Sequence, residues 1–141
     1  MVNKVIINNM ATKENIKNEN LEKNVWIGDD GMLHVKITRL ISEKEIDQLI
    51  NMVEKGLRDL GGKAKTLIDI STTSVIYSSL TRKKTADRVR KLREIGYQKG
   101  AIFSPHVVPR TISSFIVAAS GIGNVKVFST EKEALNWLNK P

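Results

Sequence analysis

The chain contains no cysteine, which excludes disulfide scaffolds, thiol chemistry and cysteine-based zinc sites. It has only two histidines, His34 and His106, and their wide separation gives no metal-site pattern, so we expect no metal or cofactor. Aromatic residues make up 5% of the chain, too few for the stacking platform of a nucleic-acid binder. No apolar run approaches the length of a membrane span, and residues 1–24 lack the apolar core of a signal peptide. These absences lead us to expect a cytoplasmic globular protein.

Acidic residues are fewer than basic ones: the chain has 15 Asp and Glu and 23 Lys and Arg, which gives a net charge of +8. Most of the excess falls between residues 80 and 100, where a helix is predicted. Such a basic face suits an acidic protein, anionic lipid headgroups or nucleic acid, and nucleic acid is least favoured because no recognition motif is present. The alternative is a solvated face without a partner. The residues of this basic face are Arg82, Lys83, Lys84, Arg88, Arg90 and Lys91.

Composition divides the chain into two parts. Residues 1–24 are polar and hold seven of the eleven asparagines, which predicts a flexible N-terminal arm. Residues 25–141 carry strand and helix patterns in the order β-β-α-β-α-β-α-β-α. This order predicts one α/β domain with four helices and a mixed, mainly parallel sheet joined by right-handed crossovers.

Local signals mark the helix ends. Ser42 with Glu45, and Thr130 with Glu133, have the spacing of capping boxes and predict helix starts. The basic helix is predicted from about residue 79 to residue 95. Apolar stripes on the first and third helices are expected to pack as core on the sheet, the alternative being the lining of a lipid cavity. The stripe of the third helix comprises Ile112, Phe115, Ile116 and Ala119.

Three stretches resemble the SpoIIAA-like family, which is grouped with STAS domains and CRAL-TRIO lipid-binding proteins. The first is Leu67-Ile68-Asp69-Ile70-Ser71, a strand that ends in an aspartate and a serine. The second is Tyr77-Ser78-Ser79-Leu80, where anti-sigma-factor antagonists typically have Asp-Ser-Ser-Gly. The third runs from Val127 to Leu138 and is typical of the SpoIIAA-like group. The resemblance covers about residues 25–138 and implies a STAS-like fold.

The resemblance also implies a phosphorylation site. In the antagonists, the first serine of the pair is phosphorylated by a partner kinase, and this modification controls partner binding. The corresponding residue here is Ser78. Tyr77 stands in place of the family's aspartate and Leu80 in place of its glycine, so the sequence departs from the pattern on both sides of the serine pair.

Several polar residues are predicted at the edge of the sheet where the parallel strands end. Ligands of open α/β sheets bind at this edge, and helix N-termini attract anions, so a small anion could be held here. The alternative is that these residues cap helices and fix loops. A hydrolytic triad is not expected, because no Gly-x-Ser-x-Gly elbow presents a nucleophile. The residues of this candidate surface are Asp69, Ser71, Tyr77, Ser78, Ser79, His106 and Arg110.

The sequence therefore predicts a non-enzymatic regulatory or interaction module with a protein partner. Its contact surface is expected around Tyr77, Ser78 and Ser79, flanked by the basic face. The alternative is a carrier or sensor of a small anionic or lipid-like ligand. Self-association to a homodimer stays open.

Overall fold

A computed structural model gives the fold and describes residues 23–39, 41–72 and 79–141. Strands and helices alternate as the sequence predicts, after an opening hairpin. The predicted flexible arm lies outside the described residues except for positions 23 and 24, so it stays a prediction. The elements are β1 (Val25–Ile27), β2 (Leu33–Ile37), α1 (Glu43–Asp59), β3 (Lys65–Ile70), α2 (Ser79–Lys91), a 3₁₀ turn (Leu92–Glu94), β4 (Lys99–Phe103), α3 (Val107–Ser120), β5 (Val125–Phe128) and α4 (Glu131–Leu138).

The five strands lie side by side in the order in which they occur in the chain, β1-β2-β3-β4-β5. β1 is antiparallel to β2, and every other pair is parallel, with Val35 opposite Ile68 and Asp69 opposite Phe103. Each crossover from β2 onward therefore leads to the adjacent strand, always toward the same edge of the sheet. Because such crossovers are right-handed, they place α1, α2 and α3 on one face of the sheet and leave the other face to α4.

The alternation of side chains along the strands gives each face its own core. Ile68 of β3 belongs to the core beneath α1 to α3, whereas Leu67 beside it packs with Ala134 and Leu138 of α4. Leu138 is fully buried, so this short last helix closes the second core completely at that point. The central parallel strands β3 and β4 are therefore covered on both faces, as parallel sheets require.

The helix ends follow the predicted chemistry with one difference. The Ser42 Oγ accepts from the Glu45 N–H while the Glu45 carboxylate accepts from the Ser42 N–H, which confirms the capping box of α1. The basic helix stops at Lys91, four residues before its predicted end. The chain tightens there into the 3₁₀ turn, since the Ile95 N–H donates to the Leu92 carbonyl only three residues back.

The apolar stripe predicted for the third helix is only half right. Ile112 is buried and Ile116 is partly buried against the sheet, as expected. Phe115 is 50% exposed, and Ala119 is exposed as well. α3 is apolar on more than one side, so hydropathy alone gave no reason to turn Phe115 outward.

Candidate functional site

The predicted residues of the carboxyl edge are only partly described. Asp69 ends β3, and Ser71 follows it in the loop. His106 is the N-cap residue of α3, whose first turn also contains Arg110. Ser79 is the first residue of α2. Tyr77 and the phosphorylation candidate Ser78 lie outside the described residues.

The described polar groups of this edge serve the backbone. The Arg110 guanidinium donates to the Ser104 carbonyl at 2.8 Å, and the Ser71 N–H donates to the Ile37 carbonyl at 3.0 Å. The buried Ser104 hydroxyl accepts from the His106 N–H at 3.2 Å. Among the described residues, no hydrogen bond or ion pair joins Asp69 to His106 or Arg110. These bonds are compatible with the alternative raised from the sequence, in which the residues fix loops and helix ends.

Asp69 is half-buried on the face of the sheet that α4 covers. Burial raises the pKa of the Asp69 carboxyl; the Lys36 ammonium opposes this change, and the Glu131 carboxylate at the start of α4 adds to it. The group is therefore harder to ionise than an exposed aspartate.

The topology also removes the usual reason for a ligand crevice at this edge. In open α/β sheets the crevice opens where the strand order reverses and neighbouring helices diverge to opposite faces. Here β2 to β5 run in chain order without a reversal. The sequence could not show this, because the same alternation of strands and helices is compatible with several strand orders.

A small apolar cavity lies beneath the three helices of the first face. Its volume is about 130 Å³. The walls are the aliphatic side chains of β2, β3 and β4 and of all three helices, and Arg39, Thr85 and Ser113 add polar atoms. The stripes of the first and third helices thus form core and also line a void. None of Asp69, Ser71, His106 or Arg110 is among its lining residues.

A larger and more open groove of about 660 Å³ runs between β1 and the outer side of α1. Trp26 and Ile27 border it from the strand, and Asn51, Met52 and Lys55 border it from the helix. The Trp26 ring stacks on His34, whose imidazole bonds the Asp30 carboxylate at 2.9 Å. Sequence reasoning missed this groove, because it depends on β1 being an edge strand beside α1.

Part of the basic face of α2 contacts the neighbouring helices. Lys84 pairs with Glu43 of α1 at 3.1 Å, and Arg88 donates to Asp47 and Asn51 of α1 at 2.7 Å each. Toward the other neighbour, the Arg90 guanidinium donates to the Ala119 and Ser120 carbonyls at the end of α3. Since α3 has no basic residue in its own last turn, Arg90 supplies the positive charge that favours a helix C-terminus.

Other members of the basic face differ in their surroundings. Lys83 and Lys91 are exposed and form no hydrogen bond or ion pair within the described part of the chain. The Arg82 guanidinium lies over the Phe115 ring, 5.9 Å from its centroid. The sequence could not separate these residues from Arg88 and Arg90, whose partners lie about 30 to 40 positions away in the chain.

The outer side of α3 exposes several apolar residues and no charged one. Val107 is 65% exposed and Val108 is 56% exposed, and both stand at the start of the helix. The residues that follow at helical spacing are also exposed, and none of them is charged. We call this surface the α3 stripe, and its members are Val107, Val108, Thr111, Ser114, Phe115, Ala118 and Ala119.

Two further findings concern the described residues. They contain no group of three or more His, Asp or Glu side chains placed to hold a metal ion. In the same part of the chain, no helix combines the length and hydropathy needed to cross a membrane.

Comparison with known proteins gives one match. The sequence fits the model of the SpoIIAA-like family over residues 32–139, which is most of the chain and includes β2 to α4. No curated protein and no solved structure matches the chain. The match agrees with the mixed sheet and four helices seen in the structure.

Proposed function

The chain belongs to the SpoIIAA-like family, and on that premise we propose that it is a cytoplasmic, non-enzymatic regulatory module that binds a protein partner, resembling the anti-sigma-factor antagonists. Its contact surface comprises the start of α2, around Tyr77, Ser78 and Ser79, and the neighbouring exposed part of the basic face. One observation carries the proposal. The polar groups of the carboxyl edge are engaged with the backbone, whereas exposed charge is displayed along α2, in Lys83 and Lys91.

A phosphate on Ser78 is compatible with this surface. Ser78 directly precedes Ser79, the first residue of α2, and a helix N-terminus favours negative charge. Arg82 and Lys83 follow within the first turn and a half. Phosphorylation would then change the charge presented to the partner while leaving the helix intact.

Affinity capture followed by binding measurements with the purified partner tests the proposal. We expect the double variant Tyr77→Ala, Ser78→Asp to lose the partner that the wild-type protein binds, with a nearly unchanged melting temperature. The variant Lys55→Ala on α1 provides a control, because it removes an exposed lysine that borders the groove beside β1, and it is expected to keep the partner. A collapse in stability of the first variant would assign Tyr77 and Ser78 a structural role and contradict the proposal.

The apolar cavity favours a second candidate function, the binding of a small amphipathic ligand. A cavity of about 130 Å³ is close in size to an engineered void of about 150 Å³ that binds benzene. It therefore suits a short apolar group and not a long acyl chain. Mass spectrometry under native and denaturing conditions distinguishes the two functions. An adduct seen only in the native spectrum supports the ligand, whereas a phosphate that survives denaturation and maps to Ser78 supports the module.

A further inference from the structure

The α3 stripe combines exposure, apolar anchors and a complete lack of charge. Its exposed residues recur at positions 107, 111, 114 or 115, and 118, which is the spacing of one helix face. Phe115 stands near its middle, and the two valines form one end. A solvated helix face normally carries charged residues, so this one is built for contact with another surface.

The border of the stripe is positively charged on the side of α2. Arg82 lies against Phe115, while Arg90 and Arg93 reach the carbonyls of residues 119 to 121 at the far end of α3. α3 itself contains no acidic residue. Asp87, the one acidic residue of α2, is held by Arg90 at 3.3 Å. A partner that covers the stripe therefore meets positive charge along this border and no competing carboxylate from α3.

We propose that the α3 stripe is the docking site for an amphipathic helix of a partner protein, with an apolar seam on the stripe and Asp or Glu residues facing Arg82. This inference rests on the proposed interaction function and specifies the partner's chemistry. The small side chains Ser114, Ala118 and Ala119 let a second helix approach closely, with Phe115 packing between its turns. α3 has 14 residues, so a partner helix of about four turns, roughly 21 Å, covers it.

The same observations disfavour two other occupants. A second copy of the chain would bring another uncharged stripe with its own arginines and offer no carboxylate from α3 to Arg82. A membrane would receive Thr111 and Ser114 in the middle of the stripe, whereas interfacial helices place bulky apolar residues there. A helix with an acidic border satisfies both the apolar and the charged parts of the surface.

Amide NMR with two synthetic peptides tests the inference. Both peptides are about 18 residues long and share one leucine seam at helical spacing, and they differ only in carrying Glu or Lys beside the seam. We expect the Glu peptide to shift the amide signals of Thr111, Ser114, Phe115 and Ala118, and to bind at least about tenfold more tightly than the Lys peptide. Arg82→Glu is expected to reverse this preference.

The variant Phe115→Glu is expected to weaken binding of the Glu peptide at least about tenfold. Ala118→Glu serves as a second variant on the same stripe in case the first one perturbs folding. Ile27→Glu is the matched control, because Ile27 is 45% exposed at the opposite edge of the sheet, and it is expected to bind like the wild type.

Several outcomes would overturn the inference. They are equal affinity for the two peptides, no binding of either, and shifts confined to the groove around Trp26 and Met52. Concentration-dependent shifts of the stripe in the protein alone would assign it to a second copy, and shifts caused by anionic vesicles but not by the peptides would assign it to a membrane. A purified partner that tolerates Phe115→Glu but is lost in the Tyr77→Ala, Ser78→Asp variant would refute this inference and leave the proposed function standing. A chain that binds no protein partner at all would refute both.

Discussion

α1 and α3 cover the same face of the same sheet, but their outer sides have opposite character. The exposed residues of α1 include Glu43, Lys44, Asp47 and Lys55, a mixture of both charges typical of a solvated helix. The exposed residues of α3 include no charge at all. The inner sides are alike, since both bury aliphatic residues against β2 to β5. Folding requires only the inner sides, so the proposed docking of a partner helix on α3 rests on the difference between the outer sides.

The largest expected effects on stability come from substitutions on the inner sides of α1 and α3, and they test whether these two sides are alike. Leu57→Ala on α1 and Ile112→Ala on α3 each remove a buried side chain, 2% and 8% exposed, and should each lower the free energy of unfolding by about 2–5 kcal/mol. Phe115→Ala on the outer side should cost less than about 1 kcal/mol. Urea unfolding of the three variants measures these values. An Ile112→Ala cost as small as that of Phe115→Ala would show that α3 is not anchored as a core helix.

The second test concerns the start of each helix. α1 begins with a capping box in which the Arg39 guanidinium donates to Glu45 at 2.6 Å, and this hydrogen bond holds the pKa of the Glu45 carboxyl below its usual value despite burial. The ionised Glu45 carboxylate therefore stabilises the folded state. This contribution is fully present above the pKa of the carboxyl in the unfolded chain, about 4.3, and it is lost as the pH falls through the lower pKa of the folded state. Glu45→Gln should lower the free energy of unfolding by about 1 kcal/mol at pH 7. The difference from wild type should shrink at about pH 3.

Urea unfolding of wild type and Glu45→Gln at both pH values provides the measurement. Glu54→Gln, on the same helix but outside the capping box, is the control and should change little at either pH. A Glu45→Gln difference that stays constant or grows on acidification would contradict the assigned role of Glu45.

The smallest expected effect is a gain in stability from a substitution at the start of α3. His106 is the N-cap residue, yet its side chain makes no capping bond, and the first turn has no acidic residue. His106→Asp should therefore stabilise the domain by about 0.5–1 kcal/mol, because the aspartate can accept from the Val108 N–H and its charge favours the helix dipole; Pro109 at the next position has no N–H to offer. Thermal unfolding at neutral pH measures the gain. A loss of stability would mean that the imidazole makes contacts that outweigh capping.

The sequence predicted those features of α1 and α3 that depend on neighbours in the chain. The helix starts at Ser42 and Thr130 are legible within four residues, and the hydropathy pattern gave the order of all strands and helices. The outward position of Phe115 was not predictable, because α3 has apolar residues on several sides and only the sheet selects which of them are buried.

The candidate site was less predictable than the fold for a similar reason. Arg88 and Lys91 look equivalent in the sequence, but Arg88 bonds Asp47, 41 positions away, while Lys91 has no partner among the described residues. Whether a crevice opens at the predicted ligand edge depends on strand order, which local patterns do not encode. Ser78 and Tyr77, which the family resemblance singled out, remain predictions.

The agreement between strand order and chain order has a consequence for synthesis on the ribosome. Each strand from β2 onward pairs with the one made immediately before it, so no strand waits for a later partner to fill a gap in the sheet. Strand pairings that join distant parts of a chain slow folding and leave unpaired strand edges exposed in the meantime. In the described sheet, every pairing joins strands that are consecutive in the chain. The domain can therefore grow from the opening hairpin one strand and one helix at a time. Of these elements α4 is made last, and it covers the second face of the sheet.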